Sequence, residues 1–367
     1  MDDQSPMPRP EPPPCDCNTR DLHTPECNMS QNATPNPYEA GKFLEIEVLE
    51  KYGSLPLPST LKVLIIRTYD ATMSPVVAIT FQTESHGRVN AVLKLYDRRF
   101  GRDLRRIYGK HCPHNPDDEA RFQSFVREGK AGPFLEGLQN EIRTSFLPPA
   151  PGHSYDETPD GPAKFEAALY QQCIEDFECE VYAHVRLRSY VPPELANTPM
   201  ASYFEVKGIM MQRIVGYNLQ DLPTSYLAPQ DPKEWQDIVQ LAVDAAWEIN
   251  QRGVIMGDCK TRNVVVDGET QRPFLIDFAQ CYFKDKMFDE SGSETASSKE
   301  DEDFEVGVES DIDVEYINCV RSNDNPGAIG SIMTTIMKRQ KGMELDIRYP
   351  DWDKVIEDIR RSKVGQT

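Results

Sequence analysis

Apolar residues in this chain recur at two spacings. From 61 to 97 the pattern is that of strands: LKVLIIR (61–67), VVAITFQ (76–82) and NAVLKLYD (90–97) are rich in β-branched residues and separated by polar turns. They predict an antiparallel meander, with ordered structure beginning near Phe43. Other stretches follow the helical period. AKFEAALYQQCIEDFECEVYAHVRLRS (163–189) has no internal Gly or Pro and sets Cys173, Phe177, Glu180, His184 and Leu187 along one side. DPKEWQDIVQLAVDAAWEINQRG (231–253) has Asp231 to cap it, Pro232 in its first turn and Gly253 to end it. Its predicted apolar stripe is Trp235, Ile238, Leu241, Ala242, Ala245 and Ile249. A charged segment (118–144) and a final pair (about 315–340 and 351–361, anchored by Trp352) complete the predicted helices. KGIMMQRIVGYNLQDL (207–222) reads as a strand that stops at Gly216.

The densest chemistry lies in GVIMGDCKTRNVVVDGETQRPFLIDFAQC (253–281). A short apolar strand (Val254, Ile255, Met256) precedes a polar loop with Asp258, Lys260 and Asn263. A second strand (Val264, Val265, Val266), a turn at Asp267 and Gly268, and a third run (Phe274, Leu275, Ile276) then lead to Asp277. Two strands joined by an Asp-Gly turn form a hairpin, which brings Asp277 back beside the loop carrying Asp258. Two carboxylates, an amide and a lysine suit a magnesium-bound phosphate, because a hard cation takes oxygen ligands and few of them from protein.

Lys94 lies between Leu93 and Leu95, so by alternation it shares a face with Val92 and Tyr96. An ammonium there is costly without a counter-charge. Glu180, inside the apolar stripe of 163–189, is likewise a carboxylate that needs a partner; Glu178, flanked by Ile174, Val181 and Val185, is its rival.

The pattern Asp-x-Lys-x-x-Asn, an apolar strand and then Ile-Asp-Phe resembles the catalytic loop and metal-binding motif of the protein kinase superfamily. More narrowly, MGDCKTRNVVV, IDFAQC and LKLYDRRF resemble the small kinase-like proteins of filamentous fungi. The resemblance implies that Asp258 orients the acceptor hydroxyl, Lys260 touches the transferred phosphate, and Asn263 and Asp277 bind magnesium. It makes Lys94 the nucleotide lysine, selects Glu180 as its partner, and places Met211, Gln212 and Ile214 at the adenine. ATP and Mg2+ are the implied cofactors.

The expected architecture is α+β, a two-lobed kinase-like fold with an antiparallel N-lobe sheet, one main helix and an abbreviated, mostly helical C-lobe. The expected divisions are a Pro-rich disordered tail (1–40), an N-lobe (41–213) with an insertion at about 100–162, a C-lobe with the catalytic and metal loops (214–283), an acidic disordered insert (284–314) and a helical end (315–367). The insertion opens with Arg98, Arg99, Arg102, Arg105 and Arg106, which read as a docking surface for acidic groups or as a solvated basic face. Cys15, Cys17, His23 and Cys27 match no usual zinc spacing, and His111, Cys112 and His114 read as a polar loop. Ser291 and Ser298, each with an acid three residues on, suit an acid-directed kinase.

Some motif positions depart from the family. The loop TYDATMSP, between the first two strands of the meander, has no glycine to let backbone amides approach a phosphate. Met256 and Gly257 replace the usual His-Arg, Ala279 replaces a glycine, and no Ala-Pro-Glu element follows.

Composition narrows the partners. A formal net charge of −20 argues against nucleic acid and anionic membranes, and residues 285–315 alone carry 13 acidic residues against 2 lysines. Nine scattered cysteines do not form a disulfide framework. No apolar run approaches the ~20 residues of a membrane span, and MDDQSPMPRPEPPP lacks the pattern of a signal peptide, so an intracellular location, cytoplasmic or nuclear, is expected. The expected function is an ATP- and magnesium-dependent phosphotransferase acting on protein Ser or Thr. The alternatives are a pseudokinase serving as a binding or scaffold module and a small-molecule kinase of aminoglycoside or choline type.

Overall fold

The computed structural model describes residues 34–49, 57–70, 73–107, 109–144, 149–182, 186–189, 200–288 and 311–364. The tail cysteines and His23, as well as His184, Ser291 and Ser298, lie outside the described residues.

The chain starts with the meander β1 (Phe43–Val48), β2 (Thr60–Thr68), β3 (Val76–Thr83) and β4 (Gly87–Tyr96). A two-residue hairpin follows, β5 (Arg106–Ile107) and β6 (Lys110–His111), then helices α1 (Pro116–Arg127), α2 (Ala131–Thr144) and α3 (Gly161–Val181), and strands β7 (Arg186–Ser189) and β8 (Val206–Gln212). The sheet order β1-β2-β3-β4-β8-β7 closes on itself, because β7 also pairs with β1, and every pairing is antiparallel. Ile46, Val63, Ile65, Val77, Ile79, Leu93 and Leu95 fill its interior. The outer face of β4 and β8 meets α3, where Tyr96 and Ile209 pack with Leu169, Cys173 and Phe177. β4 is thus covered on both sides, and that puts Lys94 inside the protein.

The long helix predicted to reach 189 ends at Val181. Leu187 instead pairs in a strand with Val48 on one side and Gly208 on the other. Here the backbone groups of two sheet edges need partners, and this tertiary demand overrides local helix propensity. Order also begins earlier than Phe43: Tyr38 is buried and its hydroxyl donates to Asp97 Oδ2 at 2.6 Å.

Within the insertion, the single segment expected over 118–144 is two helices, broken at Gly129, whose φ of 72° is left-handed. Phe122, Phe125 and Leu135 of this pair pack on Ala163, Ala167 and Ala168 of α3. In the basic run that opens the insertion, Arg102 and Arg106 are exposed beside Asp103, and the other three arginines are engaged within the fold. Arg98 and Arg105 are buried against the carboxylate of Glu166, and Arg99 pairs with Asp97 at 2.7 Å.

The second half contains β9 (Gly216–Asn218), α4 (Pro232–Gln251), β10 (Val254–Met256), β11 (Val264–Asp267), β12 (Pro273–Leu275), β13 (Cys281–Phe283), the short α5 (Lys284–Met287), α6 (Ile312–Asn323), α7 (Asn325–Lys341) and α8 (Trp352–Val364). Asp231 caps α4 by accepting from Lys233 N at 2.9 Å. The buried side of α4 is Ile238, Val239, Ala242, Val243 and Ala246, which face Ile329, Met333 and Met337 of α7. Leu241, placed in the stripe by spacing alone, is exposed at 49% because the stripe lies one residue around the helix. The predicted helix at 315–340 is divided at Asp324, whose φ is 42°, and the Asp324 side chain caps the second part at Gly327 N, 3.1 Å away. Trp352 packs edge-on against Trp247, with ring centroids 5.3 Å apart. Among the described residues, no helix is long and apolar enough to cross a membrane.

Candidate functional site

Lys94 sits near the end of β4, opposite Val76 of β3 and Ile209 of β8. Its Nζ lies 2.6 Å from Glu180 Oε2 and 2.6 Å from Asp277 Oδ1. Burial works against the ammonium, but the two carboxylates overcome that and raise its pKa above the ordinary lysine value. Glu180, in the last turn of α3, is fully buried at 0% exposure, whereas the rival Glu178 is exposed. Tyr96, two residues after Lys94 and on the same face, donates its hydroxyl to Glu180 Oε2. The other oxygen, Glu180 Oε1, is buried with no hydrogen-bond partner.

Asp277 is placed by the β11–β12 hairpin, in the register Val264↔Leu275 to Val266↔Pro273. The turn differs from the two-residue Asp-Gly form. Asp267 N bonds to Arg272 O at 2.9 Å, and the left-handed residue is Gln271 (φ 56°), while the Asp267 carboxylate accepts from Glu269 N and Thr270 N. Asp277 is itself left-handed, with φ 71°. A non-glycine residue held there costs on the order of 1–3 kcal/mol, and such strain concentrates at functional sites.

Asp258 follows β10. Burial pushes its carboxyl up, but the Lys260 and Arg262 cations and the Asn263 amide outweigh burial and hold it below the ordinary carboxylate range. Lys260 is ion-paired with Asp258 Oδ1, and Arg262 Nη2 is 3.3 Å from Oδ2. Asn263 Nδ2 donates to Asp258 O at 2.9 Å and to Oδ2 at 3.3 Å, while the Asn263 carbonyl accepts from Ile276 N at 2.8 Å. That last bond ties the Asp258 loop to the residue before Asp277.

Two groups of predicted residues therefore assemble: Lys94 with Glu180 and Asp277, and Asp258 with Lys260 and Asn263. Met211, Gln212 and Ile214 lie apart from both sets of contacts, at the end of β8 and in the link to β9. Met211 is half-buried against the cluster containing Tyr96, Phe177 and Ile209, Gln212 is exposed, and Ile214 is half-buried. The donor set fits magnesium by type. Asn263 uses its amide nitrogen on Asp258 and Asp277 uses one oxygen on Lys94, which leaves an oxygen on each to face a hard cation.

Sequence reasoning missed three supports. Asp176, one turn before Glu180, has its carboxyl pushed up to about 7, chiefly by burial. Its position in a helix otherwise apolar at Cys173 and Phe177 was the available signal. Asn325, at the start of α7, accepts from Met256 N at 3.0 Å and Asn250 Nδ2 at 2.9 Å and donates to Met256 O at 2.7 Å, bracing the strand before Asp258. Nothing in Asp-Asn-Pro marks that role. The buried Glu166, at the receiving end of two arginines, could have been found from its place among alanines.

No protein-family model matches the chain, and no curated protein matches it. Among solved structures, a doubly substituted kinase domain of Mycobacterium tuberculosis PknI is similar over 59% of this chain and 60% of its own, at 16% identity and a TM-score of 0.24. This chain thus spans about three fifths of that domain. The chain is a mixed α/β fold with a curled antiparallel N-terminal sheet and helices.

Proposed function

We propose that the protein is a kinase-like phosphotransferase that uses ATP and magnesium to phosphorylate a hydroxyl, on a protein Ser or Thr. The observation that carries this reading is Lys94 held 2.6 Å from both Glu180 and Asp277, a cation from the sheet fixed between a helix and the metal-type loop. Lys94 would bind the nucleotide's phosphates and Glu180 would hold it in place. Asn263 and Asp277 would hold magnesium, which when bound neutralises phosphate charge. Asp258, kept ionised by Lys260 and Arg262, is suited to accept a hydrogen bond from the acceptor hydroxyl and to take its proton. Phosphoryl transfer depends mostly on positioning and charge neutralisation, which this set supplies.

A second reading, a pseudokinase that serves as a binding module, is favoured by the turn between β2 and β3. It carries no glycine, and Met73 O is pressed so closely on Gly101 that a Cβ there would clash with it. Thermal shift with ATP and magnesium separates the two. Stabilisation of the native protein, with the ligand-dependent increment lost in Lys94→Met and in Asp277→Asn, supports the enzyme; no shift at millimolar ATP overturns it. Asp258→Asn should keep the shift and lose transfer by on the order of 100- to 10,000-fold; unchanged turnover would remove Asp258 from the proposal.

A further inference from the structure

Two half-buried cysteines meet behind the site. Cys179 precedes Glu180 in the last turn of α3, and Cys281 opens β13, four residues after Asp277. Cys179 Sγ is 3.3 Å from both Phe278 O and Cys281 O, and 3.1 Å from Cys281 N, which donates to it. The Cys281 thiol neighbours that sulfur and acts on its ionisation. The two residues are 102 apart in sequence, and the Cys179 sulfur lies against the Cys281 backbone.

We propose that Cys179 and Cys281 form a reversible disulfide under peroxide, a covalent staple between α3 and the segment that follows Asp277. The thiolate of Cys179 attacks hydrogen peroxide: an S–O bond forms, the O–O bond breaks and hydroxide leaves, giving a sulfenic acid. The sulfur of Cys281 then attacks Cys179; the S–S bond forms, the S–O bond breaks and the oxygen departs as water. The balance is two thiols and one peroxide to one disulfide and two waters, and a dithiol reductant reverses it.

The surroundings assign the roles within the pair. The neighbouring Cys281 thiol and the hydrogen bond from the Cys281 backbone N–H, with the nearby Lys286 cation, hold the Cys179 thiol below the ordinary cysteine range, while Cys281 is raised by the neighbouring Cys179 thiol and by burial. Cys179 is therefore the attacking sulfur and Cys281 the resolving one. Cys173 and Cys259 are buried, and burial pushes their thiols up, Cys259 to about 12, so neither competes. The contacts of the Cys179 sulfur with Phe278 O and the Cys281 backbone already hold the end of α3 against the segment after Asp277, and the bond fixes that arrangement.

The test is peptide mapping by mass spectrometry, without reduction, of the full chain before and after dilute hydrogen peroxide. A peptide pair joined through Cys179 and Cys281, released by a dithiol reductant, is expected in the native protein and in neither Cys179→Ser nor Cys281→Ser. In Cys281→Ser a dimedone adduct should accumulate on Cys179. The unfolding temperature of the oxidised native protein should rise, since a link closing a loop of this length restricts the unfolded chain most. Cross-links to other cysteines, or overoxidation of Cys179 without a cross-link, would overturn the proposal. None of these readouts requires the protein to use ATP, so their failure is separate from failure of the phosphotransferase reading.

Discussion

Replacing Lys94 by methionine removes a cation and leaves the carboxylates around it. Met has a comparable length and no charge, so the change isolates the electrostatics. Glu180 is wholly enclosed, and among the described residues the hydrogen bond left to it without Lys94 is that from the Tyr96 hydroxyl, with Oε1 unmatched. Removing one partner of a buried pair costs about 3–5 kcal/mol, because an uncompensated charge stays inside. The Asp277 arm adds little, since that side chain is 39% exposed and water can solvate it.

Glu180→Gln in the same background removes the stranded charge and keeps the shape. The double variant should therefore lose less than the two single losses added together, by about 1–3 kcal/mol of coupling. Urea unfolding of the native protein, both single variants and the double variant measures the cycle. A Lys94→Met loss below about 1 kcal/mol, or strict additivity, would mean that the pair does not organise the site. The raised pKa of Lys94 adds a sign: this stabilisation is present below the ordinary lysine value of 10.5 and is lost as pH climbs through the higher folded value.

Other residues give separate tests. Asp176 holds its proton up to about 7 against an ordinary 3.8, so between these values the unfolded chain has released a proton that the folded one keeps, and stability falls as pH rises through that window. The total is on the order of 4 kcal/mol, and Asp176→Asn should flatten the profile measured by urea midpoints from pH 4 to 8. Asn325→Ala unpairs Met256 N and Met256 O and removes one of the two bonds of the Asn250 amide nitrogen, which keeps Val254 O, for about 3 kcal/mol or more, and should speed hydrogen exchange at Met256. Gly216→Ala would drive a Cβ into the Val266 carbonyl oxygen, at a cost of about 1–3 kcal/mol read by urea unfolding, whereas Ala at Gly137, with open space beside it, should cost nothing.

Local pattern carried the fold where one neighbour decides the outcome. The strands of the meander show in the alternation of Leu61, Val63 and Ile65, and α4 shows in its cap at Asp231 and its stop at Gly253, because turn and cap chemistry are local. At the site, local pattern marked Lys94 and Glu180 as charges in apolar company, but it left Glu178 open as well, and the family resemblance chose between them. What sequence could not show depends on distant partners. Leu187 is in a strand because β1 and β8 lie on either side of it, and Asn325 matters because Met256, 69 residues away, presents its backbone there. Arg98 and Arg105 looked solvated because their counter-charge, Glu166, is more than 60 residues distant.

That last pair gives the insertion a structural role. Glu166 stands about four turns before Glu180 on the same helix, and its two oxygens are taken by guanidiniums from the segment directly after β4. The strand that carries Lys94 is thus joined to α3 at two levels, by Lys94 to Glu180 near the site and by Arg98 and Arg105 to Glu166 farther back. α1 and α2 cover the remaining face of the helix through Phe122, Phe125 and Leu135. A helix fixed at both levels has little freedom to rotate Glu180 away from Lys94. The long segment between the lysine and the glutamate therefore serves as a buttress that keeps the pair assembled, and Glu166→Gln, which leaves the buried Arg105 short of its counter-charge while Arg98 keeps Glu119, should loosen α3 as a whole rather than one contact. Hydrogen exchange along 163–181 reads this directly: faster exchange through to Glu180 follows from the buttress, and a change confined to the turn around Glu166 would limit those arginines to a local role.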